Sequence, residues 1–438
     1  MKYVLWGIFW VCIYLLLTLV PLLVLVLWAV PEGRGFWWDL SIALGFAGAS
    51  MMAVMFFLTA RFKRAALPFG IDLVYYYHRQ IAVVLLLILV AHPVIIYGFH
   101  PGLLEDLRPA AISWYLLAGI GSFLAMTAVM ITSLWRKQLH IHYDAWRVWH
   151  ALLAVAALLL AILHIVGIGN YLATPLKSTL WTGITVSWIF LLLYVRLIKP
   201  YFMKQHPYLV HNVIQERGDT WTLEIVPDGH AGIRFAPGQF AWLTLGNSVF
   251  TMKEHPFSIA SSAEHPEKLS FAIKELGDFT RRIKDTRPGQ QAFIDGPFGS
   301  FSIDRHPSPG YVFIAGGIGI APIMGMLRTL ADRRAKQQII LFYAYNTMER
   351  LTFYEELEGM RDRFNIKIIY VLQAPPPDWQ GETGFITEQI LLHNLPDQLN
   401  GLEYFVCGPV PLIHLIEKIL HRRGVSLAKI HSELFDLV

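Results

Sequence analysis

Cysteine is nearly missing from this chain: two residues in 438, Cys12 inside an apolar run and Cys407 in the more polar half. Thiols so placed give no disulfide framework. Charge is scarce as well, with only 16% of residues Asp, Glu, Lys or Arg, a net charge of +4 and no basic stripe. That excludes the electrostatic footprint of a nucleic-acid binder, and no nucleic-acid partner is expected. Internal repeats and low-complexity tracts are absent, and Pro375-Pro376-Pro377 reads as a loop. A cleavable leader is not expected, because the first apolar run is too long and has no small-residue cleavage site before Pro31.

What is abundant is apolar surface. Hydrophobic residues make up 55% of the chain, and the mean hydropathy is +0.46, too apolar for an ordinary soluble enzyme. The apolarity is concentrated before Ile198. Six membrane segments are predicted there, at residues 4–30, 38–60, 74–98, 111–134, 145–167 and 178–198, with Lys199–Pro200 as the exit from the bilayer. Pro21 and Pro93 are expected to bend the first and third. Arg61, Lys63 and Arg64 follow the second segment, and Arg136, Lys137 and Arg147 lie in or beside the loop after the fourth. The opposite loops hold Arg34, Arg108 and Lys177, offset by Glu32, Glu105 and Asp106. This bias predicts a cytoplasmic location for the first group and for both termini.

Histidine interrupts the apolar pattern in two of the six segments. The third carries His78 and His92, the fifth His150 and His164, with fourteen residues between the members of each pair. Fourteen residues make four turns of about 3.5, so each pair shares one helix face. At 1.5 Å per residue the two are about 21 Å apart along the axis, inside a hydrocarbon core roughly 30 Å thick. Two such helices facing each other would offer one bis-histidine site near each membrane surface, His78 with His150 inside and His92 with His164 outside. That geometry suits two stacked haems. A lone intramembrane histidine reads equally well as a proton relay or a hydrogen-bonded core residue; four in matched spacing favour haem, since polar groups in lipid need partners. Zinc fits worse, because its ligands cluster within a few ångströms. No Cys-x-x-Cys-His occurs, so the haem would be b-type.

After Lys199 the sequence reads as a soluble protein. Strands are predicted at Tyr208–Gln215, Thr220–Val226, Phe240–Leu245, Lys268–Lys274 and Gln291–Ile294, separated by turns such as Arg217-Gly218-Asp219, as in a small antiparallel barrel. From Gly310 strands at Tyr311–Ala315, Gln338–Tyr345, Lys367–Leu372 and Glu403–Cys407 alternate with helices at Pro322–Lys336, Phe353–Arg363, Thr387–Leu392 and Pro411–Gly424, which predicts a parallel sheet. The run Gly316-Gly317-Ile318-Gly319-Ile320-Ala321-Pro322 lies between the first of these strands and its helix. Missing side chains let backbone approach a diphosphate there, and the helix N-terminus favours its charge. Gly277-Asp278-Phe279-Thr280, with glycine and a hydroxyl at a helix start, reads the same way, and Asp295-Gly296-Pro297-Phe298-Gly299 is a tight turn.

The four histidines, the run His255-Pro256-Phe257-Ser258, the Gly316–Pro322 run and Cys407-Gly408-Pro409, in this order, resemble the NADPH oxidase/ferric reductase superfamily over nearly the whole length. The resemblance implies a membrane α-helical protein, a six-helix haem-binding bundle fused to a ferredoxin-reductase-like module made of an antiparallel β-barrel FAD domain and an α/β nucleotide-binding domain. The implied domains are 1–200, 201–305 and 306–438. Phe257 would stack near the isoalloxazine, Ser258 would hydrogen-bond its reactive edge, and residues 277–280 would hold the FAD diphosphate. Related soluble reductases carry arginine where this chain has His255, which makes Lys274 or Arg281 the alternative phosphate ligand. Cys407 would lie by the nicotinamide of NADPH or NADH, with Gly408 and Pro409 beside it, and Phe435 would cover the flavin. Taken alone, Cys407 is a small buried hydrophobe, Phe435 a core aromatic and Arg350 a solvated charge. Arg350, after the second strand of the sheet, is also placed to meet a ribose phosphate.

The implied path runs from NAD(P)H to FAD, to the inner haem, to the outer haem and on to an acceptor at the haem edge. FAD is needed because a six-coordinate haem cannot accept a hydride. Arg147, one turn before His150, would pair with a haem propionate or a lipid headgroup. Three acceptors fit: oxygen, giving superoxide; a ferric or other metal chelate; and a partner protein or quinone. Animal oxidases carry basic or histidine residues near the outer haem; here the corresponding loop holds His100 and Arg108. Neither a calcium-binding loop nor a long regulatory extension is seen in the sequence, so no obligatory protein activator is expected. The brevity resembles prokaryotic members, in the plasma (inner) membrane with FAD and NAD(P)H domains cytoplasmic. A transporter with a regulatory nucleotide domain would leave the four histidines unexplained.

Overall fold

The structure, a computed structural model, describes residues 2–28, 35–62, 71–109, 111–251, 253–361 and 365–434. The chain divides near Lys199 into two compact units.

The first unit is helical. Its long elements are α1 (Lys2–Leu27), α2 (Phe36–Thr59), α3 (Ile71–Phe99), α4 (Trp114–Leu134), α5 (Tyr143–Ile168) and α6 (Pro175–Leu193). All six are long and apolar enough to cross a membrane, and this is a multi-pass membrane protein. Leu87, Val94, Leu124, Val186 and Phe190 point outward and exposed, as side chains in lipid do. Inside, Met52, Leu85, Met126, Ala157, Leu158 and Trp188 pack into one core. Leu85 and Ala157 lie midway between the histidines of their helices, seven residues from each, and both are buried. α1 and α3 stay helical through Pro21 and Pro93. The two compact units part at Lys199 and Pro200, and the helix does not stop there: α6 passes through a π turn, Tyr194–Ile198, and continues helically to Lys204. Pro200 has no N–H for the carbonyl four residues back, and the wider turn just before it keeps its ring off that carbonyl.

The second unit contains two sheets. Six antiparallel strands are β1 (Tyr208–Glu216), β2 (Thr220–Pro227), β3 (Phe240–Leu245), β4 (Glu254–Ser258), β5 (Leu269–Lys274) and β6 (Gln291–Phe298), in the order β4-β3-β6-β1-β2-β5. An antiparallel bridge between Ile259 and Phe271 joins the two ends, closing a barrel around Leu223, Ile225, Leu243 and Phe271. The run His255-Pro256-Phe257-Ser258 forms β4; Pro256 offers no N–H to a ladder, and the strand pairs along one edge with β3 alone.

The other sheet is parallel. β7 (Gly310–Gly316), β8 (Gln338–Tyr345), β9 (Ile366–Leu372), β10 (Glu382–Thr383), β11 (Glu403–Gly408) and β12 (Ile430–Leu434) take the order β10-β9-β8-β7-β11-β12. Helices α7 (Ile320–Asp332), α8 (Tyr354–Arg361), α9 (Glu388–Asn394) and α10 (Val410–Arg422) connect them. Phe313 and Tyr343 belong to one core and Val312 and Phe342 to another, so both faces are covered, the rule for parallel sheets. Two differences from the sequence reading matter. The glycine run forms a 3-10 turn, Gly317–Gly319, and α7 begins at Ile320, two residues before Pro322; proline in a first turn still lacks only an N–H that would have no helical partner. β12, with polar His431, Ser432 and Glu433, has no apolar run to announce it.

Candidate functional site

The membrane helices bring the four histidines together in two pairs. The ring centroids of His78 and His150 are 6.4 Å apart, and those of His92 and His164 are also 6.4 Å apart. Metal–imidazole bonds of about 2.0–2.1 Å on either side of one ion would put two ring centroids roughly 6 Å apart. Each pair therefore fits a single metal held between two rings.

Hydrogen bonds fix which nitrogen faces the gap. His92 Nδ1 donates to the Ser41 carbonyl at 2.7 Å, and His164 Nδ1 to the Tyr115 carbonyl at 2.8 Å. A carbonyl can only accept, so both Nδ1 atoms carry the proton and both Nε2 lone pairs are left for a metal. In the His78–His150 pair the Ser133 hydroxyl donates to the Val129 carbonyl at 2.6 Å and accepts from His150 Nδ1 at 3.1 Å. Trp146 Nε1 gives the same oxygen a further contact at 3.3 Å. His78 Nδ1 is buried with no hydrogen-bond partner among the described residues. Glycine makes the room: a β-carbon at Gly45 would lie 3.1 Å from His92 Cε1, and one at Gly119 would lie 2.7 Å from His164 Nδ1.

In the barrel, β4 presents His255 and Phe257 on one side. The His255 ring stacks on Phe279 with centroids 4.0 Å apart, and Phe257 lies 6.0 Å from the same ring. Ser258, next on the strand, is buried, and its hydroxyl has no hydrogen-bond partner among the described residues. An orphaned buried hydroxyl beside an aromatic platform suits a polar ring edge arriving from outside. Gly277 caps the single helical turn Asp278–Arg281, and the Thr280 hydroxyl accepts from Gly277 N at 2.8 Å and from Leu276 N at 2.9 Å. That oxygen holds the turn, so any donors offered outward there are backbone N–H groups.

In the parallel sheet, β7 and β11 run in register, Ala315 opposite Cys407, and both end in glycine turns. The turns touch through their backbones. A β-carbon at Gly319 would overlap the Cys407 carbonyl and lie 3.0 Å from Gly408 N, and one at Gly408 would lie 3.0 Å from the Gly316 backbone. Cys407 is fully buried, and burial, with Glu433 on β12 opposite it, pushes its thiol well above the ordinary range.

Other expected residues fall as follows. Lys274 Nζ sits over the Tyr345 ring, 5.0 Å from its centroid, and Arg350 Nη2 is 3.5 Å from Asp219. Arg108 pairs with Glu105 at 2.7 Å and His100 packs edge-on against Trp38. Phe435, Lys63 and Arg64 lie outside the described residues. Sequence reasoning missed Ser41, Ser133, Gly45 and Gly119. A serine or glycine within an apolar helix was the available signal, but only the fold shows which of them face histidine.

Comparison with known proteins follows the same division. The family "Ferric reductase like transmembrane component" matches residues 44–161, "FAD-binding domain" matches 219–302 and "Oxidoreductase NAD-binding domain" matches 313–418. The glycine betaine monooxygenase reductase subunit of Pseudomonas aeruginosa is 30% identical over 51% of this chain and 62% of its own length. NADH-cytochrome b5 reductase 1 of Candida albicans is 34% identical over 37% of this chain and 57% of its own. The chain thus spans about three fifths of these relatives. Among solved structures, the FAD/NAD-binding domain of a nitric oxide dioxygenase from Vibrio cholerae O1 biovar El Tor aligns with 52% of this chain and 98% of its own, at 20% identity and a TM-score of 0.47.

Proposed function

We propose that this chain, an oxidoreductase with the membrane, FAD-binding and NAD-binding architecture of the NADPH oxidase/ferric reductase superfamily, carries electrons from NAD(P)H across a bilayer to an acceptor on its far side. The observation that supports this best is the pair of 6.4 Å histidine gaps on two neighbouring apolar helices. On this reading residues 1–200 form the haem domain, 201–305 the flavin barrel and 306–438 the nucleotide domain.

Bound FAD would turn one hydride into two single electrons, and two bound b-type haems would relay them outward. The residues do the holding. His78 and His150 would bind the inner haem and His92 and His164 the outer one, with Ser133, Ser41 and Tyr115 keeping three of the four imidazoles in the ligating tautomer. Phe257 and Ser258 would position the flavin ring, and Gly277–Thr280 with His255, Lys274 or Arg281 its diphosphate. The turns at Gly316–Pro322 and Cys407–Pro409 would seat the nicotinamide dinucleotide, with Arg350 near its ribose and Phe435 over the flavin. The excess of Arg and Lys after the second and fourth segments supports a cytoplasmic reductase module in the plasma (inner) membrane.

Oxygen, which would take one electron to give superoxide, is the acceptor we favour on resemblance. Transfer to a partner protein is the second reading, favoured by relatives that are named as reductase subunits or electron transfer components. Purified protein given NADPH and FAD should reduce cytochrome c in air, and superoxide dismutase should suppress most of that signal. His164→Ala should abolish it while flavin reduction persists. Dismutase-insensitive reduction with fast turnover on ferric chelates under nitrogen would replace oxygen by a metal chelate. Slow turnover on both would point to a protein or quinone.

A further inference from the structure

At the end of the parallel sheet away from the glycine turns, three metal-ligating side chains meet. Glu403 opens β11, His431 lies on β12 opposite Phe405, and His306 follows the 3-10 turn Ile303–Arg305 that links the barrel to β7. Glu403 and Phe405 alternate onto one face of β11, and in-register pairing puts His431 on that same face. His431 Nε2 and Glu403 Oε2 are 2.7 Å apart, and the His306 and His431 rings stack with centroids 3.6 Å apart. One ligand atom from each of the three can be chosen so that all lie within 4.8 Å of one another. All three residues are half-buried, so solvent reaches the cluster. The glycine and cysteine turns lie four residues further along β11, about 13 Å at 3.3 Å per residue. Nothing in the electron path uses this cluster.

We propose that His306, Glu403 and His431 form a binding site for a divalent transition cation of the zinc class, independent of the flavin, nucleotide and haem sites. Two imidazoles and one carboxylate are a donor set that zinc takes with water in the fourth position. Tetrahedral bonds of about 2.0–2.2 Å set ligand atoms roughly 3.3 Å apart. The His431–Glu403 contact has to open a little and the His306 ring has to turn toward it. No hydrogen bond among the described residues restrains a ring nitrogen of His306. Arg305 and Lys429 are the cations whose charge reaches the cluster; the Lys429 ammonium is tied to the Asn400 carbonyl. A bound ion would staple the barrel–sheet link to the C-terminal strand, which two residues on carries Glu433, whose Oε1 would lie 3.4 Å from a β-carbon placed at Gly299.

The test uses full-length protein in detergent, loaded with haem and FAD so that the membrane histidines are occupied. After chelator treatment it is dialysed against zinc chloride, desalted and analysed for zinc by mass spectrometry, beside the His306→Ala/His431→Ala double variant. The parent should keep one zinc per chain more than the variant, and zinc should raise the unfolding temperature of the reductase unit in the parent alone. Equal zinc in both, or none above background in the parent, would overturn the proposal. Matching FAD content and NADH–ferricyanide turnover establish that the variant folds. Should it not fold, Glu403→Gln and X-ray absorption at the zinc edge of the parent decide instead: a first shell without two imidazoles overturns the site.

Discussion

Ser41 holds His92 from both directions: its carbonyl accepts the His92 Nδ1 proton at 2.7 Å, and its hydroxyl donates to the His92 carbonyl at 2.7 Å. The bond that sets the imidazole is made by backbone and survives any substitution of the side chain. The His78–His150 pair differs, because His150 Nδ1 relies on the Ser133 hydroxyl. An imidazole that donates to an acceptor is a more basic ligand and favours the oxidised metal. Ser133→Ala should therefore raise the midpoint potential of one haem, and Ser41→Ala should leave both potentials near the parent's. Redox titration of the b-haem absorbance distinguishes the two variants.

Gly119 inverts a familiar rule. Glycine to alanine within a helix ordinarily stabilises by roughly 1 kcal/mol. Here the added methyl would lie 2.7 Å from His164 Nδ1, displacing the ring and its bond to the Tyr115 carbonyl. If each histidine pair holds one haem, as proposed, Gly119→Ala should lose the haem of the His92–His164 pair selectively, taking pyridine haemochromogen from two haems per chain to one. Gly183, with open space around it, is the control whose alanine variant should keep both.

Ser258→Ala removes a buried hydroxyl that has no partner among the described residues, so the protein without flavin should be no less stable, and may be compared directly by thermal unfolding. With flavin bound, reduction by NADPH should slow by about tenfold or more, as for loss of one positioned hydrogen bond at a reacting atom. Stopped-flow bleaching of the flavin measures it.

Arg328, on α7, ties the sheet to the barrel. Its guanidinium meets Glu356 at 2.6 and 2.8 Å and donates to the Ala260 carbonyl at 2.8 Å. Lysine cannot reproduce that fork. Arg328→Lys should cost roughly 1–3 kcal/mol of reductase-unit stability, seen as a lower denaturant midpoint.

Cys407 should resist alkylation. Burial and the Glu433 charge hold the thiol well above its ordinary range, so it stays protonated across pH 7–9 and the nucleophilic thiolate is not formed. N-ethylmaleimide at pH 8 should add nothing to Cys407 in folded protein and one adduct once it is unfolded, read by peptide mass spectrometry.

The parts that were legible in the sequence are those governed by period and spacing. Helix lengths, strand runs in both sheets and the histidine pairing follow from apolar patterns repeating every 3.6 or 2 residues. What escaped has short or mixed patterns. β12 is half polar, and β10 has only two residues. The partners of the histidines escaped for another reason. Ser41 and Tyr115 act through carbonyls, which every residue has, and nothing in a side-chain code marks them. His306 lies about 125 residues before His431, and the cluster forms only because register sets His431 beside β11 while the turn Ile303–Arg305 brings His306 to it.

The backbone contact between the Gly319 and Cys407 turns bears on how a dinucleotide would arrive. Two loops that already touch main chain to main chain cannot act as separate jaws that shut on a ligand, because no side chain stands between them to be squeezed out. Such a cradle is preorganised, and little ordering entropy remains to be lost on association. On the proposed reading, binding at that end of the sheet should then show a single encounter phase, linear in ligand concentration, with no slow isomerisation of these two turns after it.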